Sequence, residues 1–227
     1  MSLFHSDAFL AFRSRDFSLL SVNQLCLILA IMIQEVVIAY SVYQLTQNPL
    51  SLGMIALIEL LPFICLSLIS GDWADRYNRQ KIVQWSFSCS TLIPLLFIVL
   101  FSQYQQQHIQ QNTLLCGIYS LIFCLGILRG IYSPSFNSLR PFLTPESAYS
   151  NAATWTALIW QMGGILAPLC AGLLLSQLGL EKTLFIVFLL CCMGSICLFG
   201  LSPRDFPSPH KQHLSKSLKE AYLFIFK

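Results

Sequence analysis

The chain has 227 residues, of which 56% are hydrophobic and only 10% are charged, and its formal net charge is +3. Charged residues make up about 25% of ordinary soluble domains, so this composition excludes a typical water-soluble protein. The mean hydropathy of +0.67 indicates that lipid surrounds most of the chain. A net charge this small gives no reason to expect a nucleic-acid partner.

Six nearly uncharged segments are long enough to cross a membrane, since about 20 helical residues span about 30 Å of hydrocarbon. In chain order they are residues 19–43, 50–70, 82–101, 113–132, 152–178 and 183–201. They are too long for barrel strands and do not alternate apolar with polar residues. The first is also too long for a signal peptide and is expected to be retained. The sequence therefore predicts an all-α, polytopic membrane protein with six transmembrane helices.

The basic residues of the loops fall almost entirely on one side of this membrane. Eleven lysines and arginines flank the spans on that side, whereas the other side carries only Lys182. Because cytoplasmic loops carry the excess of Lys and Arg, residues 1–18 and 202–227 are both predicted to be cytoplasmic. The expected location is the cell inner (plasma) membrane. Residues 202–227 read as a proline-rich linker followed by a short amphipathic segment.

A charged loop between the second and third segments carries a specific pattern. Residues 71–81 read Gly-Asp-Trp-Ala-Asp-Arg-Tyr-Asn-Arg-Gln-Lys. This loop resembles the signature of the major facilitator superfamily, which runs Gly, any, Leu, Ala, Asp, Arg, any, Gly, Arg, Arg or Lys, any, Arg or Lys. The matching positions are Gly71, Ala74, Asp75, Arg76 and Arg79, with Lys81 at or beside the last basic position. Trp73 and Asn78 depart from the pattern.

The resemblance implies a latch on the cytoplasmic side. In it, Asp75 would pair with Arg76 or Arg79, or face the amino terminus of another helix, and would release when the transporter changes state. The alternative is a solvated charged turn that only sets the topology. Asn78 stands where the family has Gly, and Asn would tolerate a left-handed backbone if the turn needs one.

Residues 163–172 of the fifth segment are similar to the Gly- and Pro-rich signature of drug and proton antiporters in that superfamily. Gly163, Pro168 and Gly172 match, which favours export, although small residues at this spacing also suit plain helix packing. Residues 12–17, 43–50 and 140–146 resemble the bacterial branch with the enterobactin exporter and macrolide efflux proteins. The resemblance covers nearly the whole chain but implies only the amino-terminal six helices of a twelve-helix fold, built as a 3+3 helix repeat.

Three ionisable residues lie within the predicted spans: Glu35, Glu59 and Arg129. A charge at mid-membrane costs about 2.5 kcal/mol or more, so such residues usually face a cavity and serve transport. At about 1.5 Å per residue, the two glutamates lie at similar depths, about 12 and 13 Å from the outer ends of their spans. Arg129 lies about 5 Å from the inner end of its span, about 13 Å below them. The sequence therefore predicts no direct pairing of Arg129 with either glutamate.

From this placement Glu35 and Glu59 are expected to share or exchange a proton. Arg129 resembles a basic residue of proton-coupled antiporters and is expected to couple instead to the loop around Asp75. For Glu59 the alternative is a protonated side chain that hydrogen-bonds to a neighbouring helix without a role in transport.

Together these features predict a major-facilitator-type transporter that exports a small amphiphilic molecule, drug-like or siderophore-like, by proton-coupled alternating access. The sequence has no phosphate loop, arginine ladder or carbonyl filter, which argues against an ABC exporter or a voltage-gated channel. It has no catalytic cluster, so no enzyme activity, cofactor or metal is expected. The expected partners are the lipid bilayer, a small-molecule substrate and protons. The main alternatives are a truncated, transport-inactive remnant, or a half-transporter that needs homodimerisation or a missing carboxy-terminal half.

Overall fold

A computed structural model describes residues 9–76 and 78–202. Within these ranges the chain is helical and contains no strand, which confirms the predicted all-α class. The helices are α1 (Arg15–Thr46), α2 (Leu50–Arg76), α3 (Arg79–Ser90), α4 (Leu92–Gln105), α5 (Gln111–Leu143), α6 (Tyr149–Leu178) and α7 (Leu180–Phe199). Short 3-10 helices at Ala11–Arg13 and Glu146–Ala148 precede α1 and α6. The predicted linker and amphipathic segment beyond Ser202 lie outside the described residues.

The described part of the chain contains six stretches that are long and apolar enough to cross a membrane, with α3 and α4 counted as one. Their outward side chains are large and apolar, for example Ile196, Ile165 and Leu61, which are 71%, 70% and 62% exposed. Water would penalise so much exposed apolar surface, whereas lipid accommodates it. The chain is therefore a multi-pass helical membrane protein.

The third span is not one continuous helix, since it is interrupted at Thr91 between α3 and α4. Pro94 has no N–H, so it cannot bond to the carbonyl of Ser90. The hydroxyls of Ser90 and Thr91 donate to the carbonyls of Phe87 and Ser88, both at 2.6 Å, and so compete with the helical ladder. Local side-chain chemistry thus divides a span that hydropathy alone makes continuous.

The fourth span is longer than the predicted 113–132, because α5 continues through Pro134 to Leu143. Proline at position 134 removes the usual N–H partner of the Gly130 carbonyl. The hydroxyl of Ser70 on α2 donates to that carbonyl at 2.7 Å and replaces the lost bond. Membrane helices tolerate proline where a neighbouring side chain supplies the missing partner.

The helices pack as two groups joined by α3 and α4. Helix α1 packs mainly against α6 and α7, whereas α2 packs mainly against α5. Gly163 lies in the α1–α6 contact, where an added Cβ would come within 3.1 Å of the Ile28 Cβ. The other two matched residues of the antiporter-like segment differ, because Pro168 is exposed and Gly172 has no neighbour within 4 Å. Of the three matched residues, close packing within the bundle therefore explains only Gly163.

Candidate functional site

The three ionisable residues of the spans meet at one point. Nη1 of Arg129 on α5 donates to Oε1 of Glu35 on α1 at 2.9 Å, and the same nitrogen contacts Oε1 of Glu59 on α2. One guanidinium thus bridges two carboxylates from two other helices. We call Glu35, Glu59 and Arg129 the ion triad.

The prediction that Arg129 pairs with neither glutamate is therefore wrong. It placed the inner end of the fourth span at Tyr132, just before Pro134, and so put Arg129 close to that end. Because α5 runs on to Leu143, Arg129 lies 14 residues, or about 21 Å, from its end. The hydroxyl of Ser70 compensates for Pro134, so α5 continues past the predicted end and Arg129 lies in the middle of the helix.

The approach of α2 to α5 depends on two glycines that sequence reasoning did not single out. A Cβ added at Gly126 would collide with the backbone oxygen of Glu59 and lie 2.7 Å from the Pro62 ring. A Cβ added at Gly130 would lie 3.0 Å from the backbone oxygen of Phe63. Residues 126–130 form a Gly-x-x-x-Gly pattern that marks close helix contacts, and Arg129 lies inside it. This pattern was the available signal in the sequence that Arg129 lies at a close contact between helices.

The ion triad is partly enclosed and electrically unbalanced. The exposed fractions are 17% for the Glu59 side chain, 28% for Arg129 and 41% for Glu35. With both carboxylates ionised, the triad carries one net negative charge, which apolar surroundings disfavour. Glu35 is the member most open to an approaching ion or solute. The arrangement can accept a proton, or another positive charge, and become neutral.

The charged loop between α2 and α3 is only partly described. The backbone of Gly71, Asp75 and Arg76 belongs to the last turns of α2, and the interactions predicted for their side chains lie outside the described residues. The latch involving Asp75 therefore stays a prediction.

On the α3 side of this loop, Arg79 donates to the Ser138 carbonyl at 3.5 Å and lies over the Phe142 ring at 5.4 Å. Asn78 has an ordinary φ of −64° and caps α3 by accepting from the Lys81 amide. Asn78, which stands where the family has Gly, thus caps a helix here, and its backbone is not in the left-handed region.

Ionisable side chains gathered within membrane-spanning helices are typical of proteins that move ions or solutes. In agreement with this class, residues 20–227 match the Major Facilitator Superfamily model, and the chain belongs to that family. Membership of this family points to a transporter and away from an enzyme.

Three relatives illustrate the relationship. The chain is 24% identical to an uncharacterised MFS-type transporter, YfiS of Bacillus subtilis, over 74% of this chain and 37% of the relative. It is 25% identical to the Staphyloferrin A transporter of Staphylococcus aureus, over 63% and 36% respectively. It is 27% identical to the multi-drug resistance efflux pump PmrA of Streptococcus pneumoniae, over 59% and 30%. The matches span only about a third of the length of these relatives.

Proposed function

We propose that this chain forms the six-helix half of a proton-coupled exporter that moves a small amphiphilic molecule across the plasma membrane by alternating access. The observation that carries the proposal is the bridge from Arg129 to Glu35 and Glu59 within the spans. Two relatives, the Staphyloferrin A transporter and the multi-drug resistance efflux pump PmrA, support transport of a small molecule, and the second supports export.

The charge count of the ion triad supports the proposed proton coupling. A proton on either glutamate makes the triad neutral and weakens one of the two contacts of Arg129, since a carboxylic acid attracts a guanidinium less than a carboxylate does. Because the three residues lie on α1, α2 and α5, this change alters the attraction between three helices at once. Loss of the proton restores the attraction. Such a two-state cluster is what a rocking transporter needs to couple a pH gradient to movement.

Replacement of Glu35 or Glu59 by glutamine is expected to remove pH-driven transport. Glutamine keeps the shape of the side chain but can neither take up nor release a proton. The measurement is movement of a fluorescent amphiphilic dye across proteoliposomes that contain the purified chain, after an imposed pH jump. We expect each variant to fall to the rate of protein-free liposomes.

Glu181→Gln is the matched control, because Glu181 lies in the first turn of α7, outside the ion triad. It is expected to retain the unmodified rate. Unchanged pH-driven transport in both triad variants would remove the proton role. If the unmodified chain moves no dye in any membrane, the transport-inactive alternative or the need for a second half explains the result better.

The proposed topology places both chain termini in the cytoplasm, as the bias of Lys and Arg requires. A green fluorescent protein fused after Lys227 is then expected to fluoresce in bacteria, because this reporter folds inside the cell. Alkaline phosphatase fused after Gln107, between α4 and α5, is expected to be active, because it folds outside. Active phosphatase after Lys227 would contradict the topology.

A further inference from the structure

Helices α1 and α5 are connected by side chains more than by close packing. Helix α1 lies mainly against α6 and α7, and α5 lies mainly against α2 and α3. Nε2 of Gln111 on α5 donates to the Leu45 carbonyl of α1 at 2.6 Å, and three pairs of polar side chains also join the two helices. They are Glu35 with Arg129, Asn23 with Tyr132, and Gln24 with Arg140. The first pair belongs to the ion triad, and the proposed function does not use the other two.

The pair of Asn23 and Tyr132 belongs to a buried node that involves three helices. The Tyr132 hydroxyl donates to Oδ1 of Asn23 at 3.0 Å, and Nδ2 of Asn23 donates to the Gly194 carbonyl on α7 at 3.0 Å. Asn23 is fully buried and Tyr132 is 7% exposed. A Cβ at Gly194 would lie 2.9 Å from the Phe87 ring and 3.1 Å from Nδ2 of Asn23. The lack of a side chain at Gly194 therefore lets α7 reach the amide.

Aromatic contacts hold the Tyr132 ring independently of its hydroxyl. The ring stacks on Phe136 at 5.0 Å between centroids and tilts against Phe87 at 5.6 Å. Tyr132 lies three residues from Arg129 on the same helix, and Asn23 shares α1 with Glu35. The hydrogen bond between Tyr132 and Asn23 thus fixes the rotation and depth of α5 relative to α1 at a point beyond the ion triad.

We infer that Asn23 and Tyr132 are positioning residues for the ion triad. When a proton weakens the bond from Arg129 to Glu35, the node keeps α1 and α5 in register, so that the bond re-forms in the same geometry. The charged groups that face Glu35 are Arg129 of α5 and Glu59 of α2. Helix α6 and residues 183–199 of α7 contribute cysteine thiols but no acidic or basic side chain, and the charged residues of α7, Glu181 and Lys182, lie in its first turn. The inference rests on the protonation proposed above but not on transport.

The test is an infrared titration of the full chain in lipid bilayers, which requires no transport. The signal is the carboxylic-acid C=O band that grows as the pH falls and is missing in Glu35→Gln. In Tyr132→Phe we expect the midpoint of this band to move by about half a unit to one unit, because Arg129 is no longer held in its place beside the carboxylate. Phenylalanine keeps the ring contacts, so the fold is expected to survive.

A double variant separates positioning from stability. Tyr132→Phe alone leaves Oδ1 of Asn23 without its donor, whereas Tyr132→Phe with Asn23→Leu removes both polar groups and is expected to regain thermal stability. If the node positions the triad, the midpoint stays shifted in the double variant. Tyr104→Phe, a partly buried tyrosine of α4, is the control and should titrate like the unmodified chain.

Three results would overturn the inference. One is an unshifted midpoint in both node variants, and another is a shift that disappears when the double variant regains stability. The third is the absence of any titrating band that Glu35→Gln removes. Failed dye transport with a shifted midpoint would leave the positioning role standing and would favour a transport-inactive chain or one that needs a second half.

Discussion

Arg129→Ala is expected to abolish pH-driven dye transport and to lower the stability of the bundle by about 2.5 kcal/mol or more. The guanidinium is the only described group that contacts both carboxylates of the ion triad. Its removal leaves two negative charges facing each other within the spans, where apolar surroundings give little screening. Either one glutamate becomes permanently protonated or α1 and α2 move apart. Both outcomes remove the reversible change on which coupling depends.

The measurements are the free energy of unfolding, from an SDS titration in mixed micelles, and dye movement in proteoliposomes. Arg129→Lys keeps the positive charge but loses the planar guanidinium, so we expect a smaller loss of stability and a partial loss of transport. Lys182→Ala removes an exposed cation near the start of α7, and it is expected to change neither quantity. Native stability and transport in Arg129→Ala would show that the triad is not needed for either.

The fold class was predictable because lipid imposes one strong rule, namely about 20 apolar residues for each helical crossing. Each of the six predicted segments falls on a membrane helix of the structure, and only the ends and the break at Thr91 differ. These differences arise where a side chain replaces or competes with a backbone bond, as the hydroxyls of Ser70 and Thr91 do. Hydropathy carries no information about such bonds.

The identities of the triad residues were predictable, but their meeting was not. Glu35, Glu59 and Arg129 stand out because charges within apolar runs are costly. Their depths were estimated from the predicted helix ends, and the end predicted at Tyr132 is not the end of α5, which continues to Leu143. The node of Asn23 and Tyr132 has no comparable signal in the sequence, since uncharged polar residues are common in membrane spans. The hydrogen-bond partners of Asn23 can be identified only from the packing of α1, α5 and α7.

Gly126→Ala tests whether the close approach of α2 to α5 creates the site. The added methyl would collide with the backbone oxygen of Glu59 and lie 2.7 Å from the rigid ring of Pro62. Neither group can rotate away, so α2 must shift and carry Glu59 away from Arg129. Overpacking of this kind costs about 1–3 kcal/mol, against about 0.5–1 kcal/mol gained because alanine favours a helix more than glycine does. We expect a net loss of stability in the SDS titration and a strong reduction of pH-driven dye movement.

Gly53→Ala is the matched control for this prediction, because Gly53 lies on α2 with nothing within 4 Å of the added methyl. It makes the same chemical change without the collision, and it is expected to keep or slightly raise stability and to retain transport. If Gly126→Ala behaves like Gly53→Ala, α2 and α5 have room to adjust, and the glycine contact does not set the position of Glu59. If Gly126→Ala loses transport while the bundle stays folded, the spacing of α2 and α5 controls the ion triad directly. The geometry of the ion triad would then depend on Gly126, an uncharged residue that contacts the backbone of α2.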